Sequence, residues 1–422
     1  MPSCCQWLQL KECDMRILII TDSLPYPLIS GDKIRIYNLL RRIAQQHEIW
    51  LACVLDTTDY VPILTHLKEF CCGVEAVDIK KQHPLVHLPG LIWYALTGKP
   101  LELKFTYSRE LAIRIRSLAE KENFDVIEIQ HSFMAMYIDA IPRAAKRKTI
   151  LTFHNVIWKQ YENIFRYERR LVDKIRQWIF SKMMRKWEPK YALKFARCIA
   201  VSNTDKDLLI SDQPDLHVDI VANGVDAKGY MPLPPCGDPR TLMFVGKMSY
   251  SPCIDAVLYF YEEILPLIQS KIDDVEFWVV GREPPPEVLS LNGKNGAHVT
   301  GYVNDVMPYY ANSAICVVPL RSGGGTRLKI LEAMALGRPV VSSTIGCEGL
   351  DVTNGKNILI ADDPETFAQK TIQLLKDQEL YQRIATEARQ LVEMNYDWDI
   401  LAGRLLKIYD ELPTDSQPFV GQ

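Results

Sequence analysis

Short apolar runs alternate with amphipathic stretches along the first half of the chain. The run from Arg16 to Thr21 is continuous in Ile and Leu, which predicts a strand buried in a parallel sheet. A turn that ends near Gly31 follows, and helical spacing then extends from about Lys33 to Gln45. The same alternation predicts further strands at 48–55, 74–79, 125–129, 149–153 and 198–201 and a helix at 108–121. This order of elements is typical of a doubly wound parallel sheet.

A proline-rich segment interrupts this pattern, and the alternation starts again after it. Residues 231–239 hold four prolines in nine positions, so they cannot form a regular element and are predicted to link two domains. The second half is predicted to contain strands at 241–245, 275–280, 298–300, 315–319, 339–342 and 358–360, with helices at 255–270, 306–312, 328–336 and 364–376.

Length and pattern together predict an α/β protein of two domains, each built on a doubly wound parallel sheet. At roughly 150 residues a domain, 422 residues correspond to two or three domains, and the repeated pattern selects two, at 15–227 and 240–396. The last helix, at about 397–412, is long enough to cross back to the first domain, and we expect it to do so. Ligands bind outside the carboxyl ends of such sheets, which predicts a cleft between the domains.

The composition is that of an ordinary globular protein. There are 49 Lys and Arg against 52 Asp and Glu, and 48% of the residues are hydrophobic, which excludes a chain that is disordered throughout. The longest nearly apolar stretch, 88–96, is far too short to span a bilayer. The 11 cysteines have no metal-type spacing, and the first fourteen residues lack the features of a signal peptide. We therefore expect free thiols and a cytoplasmic location.

The net charge of −3 hides one basic segment. Residues 141–197 carry 16 Lys and Arg and 4 acidic residues, a net charge of +12 that leaves −15 for the rest of the chain. Apolar residues recur there at helical spacing: Leu171, Ile175, Trp178, Ile179, Met183, Met184 and Trp187. Such a helix packs its stripe on the core or lies on an anionic membrane surface as a peripheral contact. We favour core packing for the stripe, and membrane attraction through the charges stays open.

The strongest local signal of chemistry follows the strand predicted at 315–319. The glycines 323–325 free the backbone, and Thr326 opens the next helix. Free N–H groups and the dipole at a helix start bind phosphate or diphosphate groups. Because Arg327 and Lys329 add positive charge and Glu332 follows, we favour anion binding over an ordinary tight turn.

Other candidate residues also follow predicted strands. Gly246 and Lys247 come directly after the first strand of the second domain, so Lys247 is expected near a phosphate held at 324–326. In the first domain, His131 and His154 follow the strands at 125–129 and 149–153. Because the carboxyl ends of parallel strands share one edge, both histidines are expected to face the cleft as polar contacts or proton carriers.

In this order, the motifs resemble the retaining, nucleotide-sugar-dependent glycosyltransferases of family 4, which have the GT-B fold of two Rossmann-like domains. The resemblance extends from Arg16 to about Leu412. Its matching segments are Asp125–His131, Ala200–Ser202, Asn223–Asp226, Phe244–Gly246, Leu331–Val341 and Asn354–Gly355. The glycine loop is similar to that of a subgroup that includes exopolysaccharide sugar transferases.

The resemblance implies the roles of individual residues. Together with the positions of Asp32 in the loop after the first strand, His154 at a strand end and Arg327 at the helix start, it predicts the donor-binding residues: Gly31, Asp32, His154, Gly246, Gly324, Gly325, Thr326, Arg327 and Glu332. Glu332 would bind the ribose hydroxyls, and the amides of 324–326 would bind the donor diphosphate. The resemblance also implies that His131 lies beside the donor sugar and that Lys247 binds phosphate. The predicted catalytic residues are His131, Lys247 and Lys329, and we expect the two lysines, with Arg327, to stabilise the leaving group.

Two positions depart from the family pattern. The first glutamate of the family's pair, which contacts the sugar, would stand eight residues before Glu332, where this chain has Gly324. A second phosphate-binding lysine is usual shortly after Lys247, where the chain reads Ser-Tyr-Ser-Pro-Cys at 249–253. The donor sugar and its base, UDP or GDP, therefore stay open.

The implied reaction moves a sugar from a nucleotide-diphosphate sugar to a saccharide or lipid-linked saccharide acceptor of polysaccharide or glycolipid assembly. The leaving phosphate would deprotonate the acceptor on the same face of the sugar. No cofactor and no catalytic metal are expected, since the Asp-x-Asp pattern at Asp397 and Asp399 lies at a helix start, where Asp is a routine cap.

Other functions stay open at this point. A GT-B protein can also be a nucleotide-sugar epimerase, a phosphorylase-like enzyme or a catalytically weak partner subunit, the last suggested by Gly324. A dinucleotide oxidoreductase is disfavoured, because no Gly-x-Gly-x-x-Gly follows either first strand. No nucleic-acid partner is expected.

Overall fold

The computed structural model describes residues 15–78, 103, 106–167, 170–234, 236, 240–323 and 327–413. The chain divides into two compact units. The first combines the residues up to Ala222 with those from Leu401 onward, and the second is Asn223–Ile400. The first fourteen residues and the apolar stretch 88–96, for which we made predictions, lie outside the described residues.

The first unit is built on a parallel sheet with the strand order β3-β2-β1-β4-β5-β6-β7. Its strands are β1 (Arg16–Thr21), β2 (Glu48–Val54), β3 (Gly73–Val77), β4 (Val126–Gln130), β5 (Thr149–Thr152), β6 (Arg197–Ala200) and β7 (Val218–Ile220). Ile17 in β1 pairs with Ile49 on one side and Val126 on the other. Both faces of β4 are buried, which explains its apolar run. The sequence analysis did not predict the three-residue strand β7.

Helices cover this sheet, and their starts follow the local sequence. They are α1 (Gly31–Ile43), α2 (Val61–Leu67), α3 (Arg109–Lys121), α4 (Ile157–Tyr167), α5 (Leu171–Ala192) and α6 (Asn203–Asp212). Two 3-10 segments, Ser132–Ala140 and Arg143–Lys148, connect β4 to β5. The hydroxyl of Ser108 caps α3 by accepting a hydrogen bond from the Leu111 N–H at 3.3 Å, which ends the preceding loop where the sequence predicts.

The second unit repeats the architecture with the strand order β10-β9-β8-β11-β12-β13. Its strands are β8 (Thr241–Val245), β9 (Glu276–Val280), β10 (Ala297–Val299), β11 (Ile315–Val318), β12 (Val340–Ser342) and β13 (Leu359–Ile360). Its helices are α7 (Ser251–Tyr259), α8 (Leu265–Gln269), α9 (Pro286–Leu289), α10 (Met307–Asn312), α11 (Leu328–Ala335), α12 (Pro364–Lys376) and α13 (Gln378–Asn395). Two Rossmann-like parallel sheets confirm the predicted fold class.

The helix predicted at 255–270 is not continuous. A π-helical turn, Phe260–Ile264, separates α7 from α8. Pro266 has no N–H to donate to the preceding turn, so the backbone must widen before it. The prediction was wrong on this point because apolar periodicity is nearly unchanged across one wide turn.

The last helix, α14 (Trp398–Asp410), ends in the first unit. The phenol of Tyr409 donates a hydrogen bond to the carboxylate of Glu128 in β4, and both side chains are buried. Arg35, also buried, donates to the carbonyl of Ala222 at 2.5 Å, which ties α1 to the end of the first unit. Burial lowers the pKa of Arg35 to about 10, and the nearby charge of Glu128 opposes that shift.

The proline-rich segment packs on the second unit. The N–H of Leu233 donates to the carbonyl of Leu336 at 3.0 Å, and the Arg338 guanidinium donates to the carbonyl of Pro234 at 2.8 Å. Residues 235 and 237–239 of this segment lie outside the described residues. Hydrogen bonds to the backbone of residues 233 and 234 therefore hold this stretch, which forms neither helix nor strand, on the second unit.

The apolar stripe predicted in the basic segment is exposed along the first half of α5 and buried farther along the helix. Met184 and Trp187 are buried, as core packing predicts. Leu171, Ile175, Trp178 and Ile179 are exposed, so core packing is wrong for the first half of the helix. Two turns of apolar side chains on that half lie at the surface of the first unit. None of the helices in the described ranges is long and apolar enough to cross a bilayer.

Candidate functional site

The strand order of the first unit reverses between β1 and β4, and several polar side chains lie at the carboxyl ends of these two strands. Such switch points open a crevice where α/β proteins bind ligands. Asp22 follows β1, His131 follows β4, and Asp32 lies in the first turn of α1. The Nε2 of His131 lies 3.5 Å from Asp22 Oδ1 and 3.9 Å from Asp32 Oδ2. The structure therefore brings Asp32 and His131 together, two residues predicted from separate motifs.

The backbone at His131 has an unusual conformation. Its φ is 71°, a region that residues with a Cβ rarely occupy, and its N–H donates to the carbonyl of Thr152 at 2.8 Å. The imidazole is largely buried and stacks on Phe133, with ring centroids 4.8 Å apart. Backbone strain of this kind persists where the surroundings hold it, and it is frequent at functional sites.

His154 lies against His131, with ring centroids 4.0 Å apart. Burial, the neighbouring His131 and the positive charge of Arg35 hold the pKa of His154 well below its ordinary value. Its Nε2 lies 2.7 Å from the side-chain oxygen of Gln130, which fits a neutral ring that donates from Nε2. Of the two roles predicted for His154, the lowered pKa favours a polar contact over a proton carrier, and the role stays a prediction.

Asp22 was missed by sequence reasoning, although the signal was available. It directly follows β1, and the strand-end argument that selected His131 applies to it equally. Oδ1 of Asp22 and Nε2 of His131 are both buried, and neither has a hydrogen-bond partner among the residues that the structure describes. Single ligand atoms of Asp22, Asp32 and His131 lie within 4.8 Å of one another, so these three side chains could hold a cation or the hydroxyl groups of a sugar.

The second unit has its own switch point between β8 and β11. Gly246 follows β8, and its N–H donates to the carbonyl of Val280 at 3.0 Å. A Cβ at Gly246 would lie 2.9 Å from Nζ of Lys329 and 2.9 Å from Sγ of Cys253. The missing side chain of Gly246 thus leaves space for the ammonium group of Lys329. Two residues predicted from motifs 83 positions apart in the chain meet here.

Lys329 and Glu332 lie one turn apart on α11 and are both partly buried. The Nζ of Lys329 lies 4.0 Å from the ring centroid of Phe244, a cation–π distance. Burial lowers the pKa of Lys329 and raises that of Glu332. The phenol of Tyr310, 3.2 Å from Glu332 Oε2, and the charge of Lys329 oppose the shift of Glu332. Tyr310 was missed in the sequence because it lies on a different helix, α10, 22 residues before Glu332.

The remaining predicted residues of this unit are placed less completely. Lys247 is about half-exposed and its Nζ lies 3.5 Å from Glu283 Oε2. A Cβ at Gly323 would lie 3.1 Å from Nη2 of Arg327 and 3.1 Å from the Tyr250 hydroxyl, so this guanidinium lies against the glycine loop. Gly324, Gly325 and Thr326, together with the predicted approach of Lys247 to them, lie outside the described residues.

The Asp-x-Asp pattern is accounted for by local structure. Asp397 accepts hydrogen bonds from the N–H groups of Ala227 at 3.0 Å and Asp399 at 2.8 Å. Asp399 pairs with Lys228 at 2.5 Å. Asp397 thus caps the start of α14, as the capping interpretation predicts, whereas Asp399 is held in an ion pair with Lys228.

Two family models match most of the chain. Residues 29–228 match Glycosyltransferase Family 4, and residues 239–377 match Glycosyl transferases group 1. This chain belongs to glycosyltransferase family 4. The two matches place the predicted strand-end histidines in the first model and the glycine loop with Glu332 in the second.

Curated relatives match between a third and nine tenths of this glycosyltransferase at low identity. An uncharacterized 44.6 kDa protein in the cps region of Klebsiella pneumoniae is 23% identical, covering 90% of this chain and 96% of that protein. A phosphatidyl-myo-inositol mannosyltransferase of Mycobacterium leprae is also 23% identical, covering 78% of this chain and 86% of that enzyme. An N-acetylgalactosaminyltransferase of Campylobacter jejuni, named for an undecaprenol-diphosphate substrate, is 32% identical over 33% of this chain and 38% of that enzyme.

Solved structures share the fold. Anabaena HepE in complex with UDP superposes with a TM-score of 0.68 at 14% identity, covering 94% of this chain and all of that one. Sucrose-phosphate synthase of Thermosynechococcus elongatus gives a TM-score of 0.66 at 16% identity, with 94% and 99% covered. These neighbours have the GT-B fold, in agreement with the prediction.

Proposed function

We propose that this glycosyltransferase moves a hexosyl group from a nucleotide-diphosphate sugar to a saccharide or lipid-linked saccharide acceptor, with retention of the anomeric configuration. The observation that carries the proposal is the placement of the Lys329 ammonium at Gly246, at the switch point of the second unit. A partly buried cation beside a glycine strand end, on the helix that follows a glycine loop, suits a diphosphate.

In this proposal the second unit binds the nucleotide and stabilises the leaving group. Breaking the anomeric C–O bond leaves negative charge on the diphosphate, and that charge must meet positive groups where it develops. Lys329, Lys247 and Arg327 would supply it, and Glu332 would accept hydrogen bonds from the ribose hydroxyls. Tyr310 helps to keep Glu332 ionised, because its hydrogen bond lowers the pKa of that carboxyl.

The first unit would contact the sugar. Asp22 Oδ1 and His131 Nε2 are buried, and the described part of the chain offers them no hydrogen-bond partner, so sugar hydroxyls would satisfy them. His154, held neutral, would orient the ring of His131 by stacking. The leaving phosphate, rather than a protein carboxylate, would take the proton of the acceptor hydroxyl, which keeps attack and departure on one face of the sugar.

The names of the relatives support the donor and acceptor classes. HepE was solved with UDP and with UDP-glucose. The Mycobacterium leprae relative is named for phosphatidyl-myo-inositol, the Campylobacter jejuni relative for an undecaprenol diphosphate, and the Klebsiella pneumoniae protein is encoded in a cps region. These names favour an acceptor from polysaccharide or lipid-linked saccharide assembly.

Calorimetric titration with a panel of UDP- and GDP-sugars tests the donor. We expect one nucleotide base to bind, and binding to be lost in Lys329→Ala and Glu332→Ala; no binding by the wild type to any member would overturn the proposal. NMR of the product's anomeric proton then reports retention or inversion. Incubation without acceptor separates transfer from epimerisation, because an epimerase converts the donor alone.

The reaction is proposed to need no metal, since cationic side chains take the place of a divalent ion at the diphosphate. Transfer measured in excess EDTA should equal transfer in buffer alone. Loss of activity that Mg²⁺ or Mn²⁺ restores would contradict this part of the proposal, and Asp22, Asp32 and His131 would then be the first candidate ligands.

We further propose that the first half of α5 contacts an anionic membrane. Its exposed apolar side chains at 171, 175, 178 and 179 lie within the segment 141–197, which has a net charge of +12. Exposed apolar groups with Trp among basic residues suit the interface of an anionic bilayer, where lipid-linked acceptors lie. Co-sedimentation with anionic and neutral vesicles, at low and high salt, tests this contact, and failure to bind in all four conditions would contradict it.

A further inference from the structure

A buried carboxylate near the end of α5 has no part in the reaction described above. Glu188 is fully buried, and its two oxygens accept hydrogen bonds from three donors. Oε1 accepts from the Ser132 hydroxyl at 2.5 Å and from the Ile157 N–H at 3.2 Å, and Oε2 accepts from the Trp158 N–H at 3.0 Å. One carboxylate thereby joins three elements of the first unit: the 3-10 segment after β4, the start of α4, and α5 itself.

Each of these hydrogen bonds lies next to a histidine of the site. Ser132 directly follows His131, whose φ of 71° has to be held by its surroundings. Ile157 and Trp158 begin α4, immediately after the short loop that carries His154. The two rings stack at 4.0 Å, so a movement of either loop would change the position of the other ring.

We propose that Glu188 is a positioning residue that fixes the stacked pair His131 and His154 by tying both of their loops to α5. The role of the pair in sugar transfer rests on the proposed function, whereas the tethering itself rests only on these contacts. The N–H groups at the start of α4 have no partners within their own helix, and the carboxylate of Glu188 satisfies two of them from another helix.

The surroundings of Glu188 make the tether specific to this side chain. The negative charge of Asp205 in α6 disfavours ionisation of Glu188. A shorter acid would not reach both loops. An amide has one acceptor oxygen, so Gln at this position would satisfy one loop and turn its NH₂ group toward donors on the other.

The test compares Glu188→Gln and Ser132→Ala with Ile115→Val, a conservative core substitution in the same unit. We expect both tether variants to lower kcat for sugar transfer by about 10- to 100-fold, because the reacting groups lose their alignment. The dissociation constant of the nucleotide diphosphate should stay at the wild-type value, since the second unit binds it. Ile115→Val should leave both quantities unchanged. The Ser132→Ala variant deletes one hydroxyl and covers the case in which Glu188→Gln fails to fold.

An NMR measurement makes the test independent of activity. In protein labelled with ¹⁵N-histidine, the ring signals of His131 and His154 should shift in both tether variants and stay in place in Ile115→Val. Unchanged ring signals together with unchanged kcat in the tether variants would overturn the proposal. If wild-type protein transfers no sugar from any nucleotide donor, the proposed function fails, and the ring signals alone decide whether Glu188 positions the histidines.

Discussion

The Nζ of Lys329 lies 2.9 Å from the point where a Cβ on Gly246 would stand, so the lysine fills space that a side chain at Gly246 would need. The backbone of Gly246 also packs closely against Gly281, because a Cβ on Gly281 would lie 1.7 Å from the Gly246 carbonyl oxygen. The absence of a side chain at Gly246, after β8, therefore leaves room for Lys329 of α11. In the proposed reaction this contact sets the position of the positive charge that meets the leaving diphosphate.

Gly246→Ala should displace the Lys329 ammonium. The new methyl group would press on Nζ and on Sγ of the buried Cys253, and the flexible lysine is the group that can move. We expect kcat/KM to fall by about 10- to 100-fold, a loss of roughly 1.4 to 2.7 kcal/mol of transition-state stabilisation. Steady-state kinetics with the nucleotide sugar that binds measures this.

Gly403→Ala is the matched control for that substitution. Gly403 lies inside α14, and a Cβ there would meet nothing within 4 Å. Alanine is the better helix former by about 1 kcal/mol, so the control should keep full activity and gain stability. Equal activity losses in the two variants would contradict the steric account of Gly246.

Tyr310→Phe should change the pH dependence of nucleotide binding. The Tyr310 hydrogen bond lowers the pKa of Glu332, against the burial that raises it. Without the hydroxyl the carboxyl takes up a proton at higher pH, and in the proposed function it would then no longer accept two hydrogen bonds from the ribose. Calorimetry across about pH 4.5 to 8 should show the acidic loss of affinity at higher pH than in wild type. Superimposable pH profiles would show that Tyr310 has no influence on Glu332.

Glu188 should make the protein less stable as the pH rises. Burial raises the pKa of this carboxyl to about 7 from an ordinary value of 4.5, although Ser132, Trp158 and Ile157 donate to it. The folded state then holds a proton that the unfolded state has released, so the free energy of unfolding falls between about pH 4.5 and 7, by about 3 kcal/mol in total.

Urea unfolding of wild type and Glu188→Gln across this pH range isolates the contribution of Glu188. His154 acts in the opposite direction, since its lowered pKa removes stability as the pH falls, but it is present in both proteins. The free energy of unfolding of the wild type should therefore fall relative to that of Glu188→Gln as the pH rises. A difference that is constant with pH would contradict the prediction.

The exposed face of α5 should decide membrane binding. Trp178→Ser with Ile175→Ser removes apolar surface from side chains that are about half-exposed, so folding should survive and vesicle binding should fall. We expect about a 10-fold weaker partition onto anionic vesicles, measured by co-sedimentation. Ile113→Ser, an equally exposed apolar residue on α3, is the control and should bind as wild type does.

The sequence by itself determined the alternation of strands and helices, because strands buried in a parallel sheet must be apolar throughout. It also determined where polar ligands could collect, since residues that follow such strands share one edge of the sheet. Asp32, His131 and His154 in the first unit, and Gly246 and Lys329 in the second, were found in this way. The resemblance to family 4 came from the same strand ends.

Only the tertiary structure decided which of these side chains meet and which faces stay uncovered. Glu188 is 56 residues from Ser132 in the chain, and no local pattern connects them. Periodicity likewise shows that one face of α5 is apolar, but whether anything packs on that face depends on neighbours distant in sequence. Local sequence determines which secondary structure a segment prefers. The burial of a side chain and its ion pairs depend on contacts from the whole fold, so only the tertiary structure determines them.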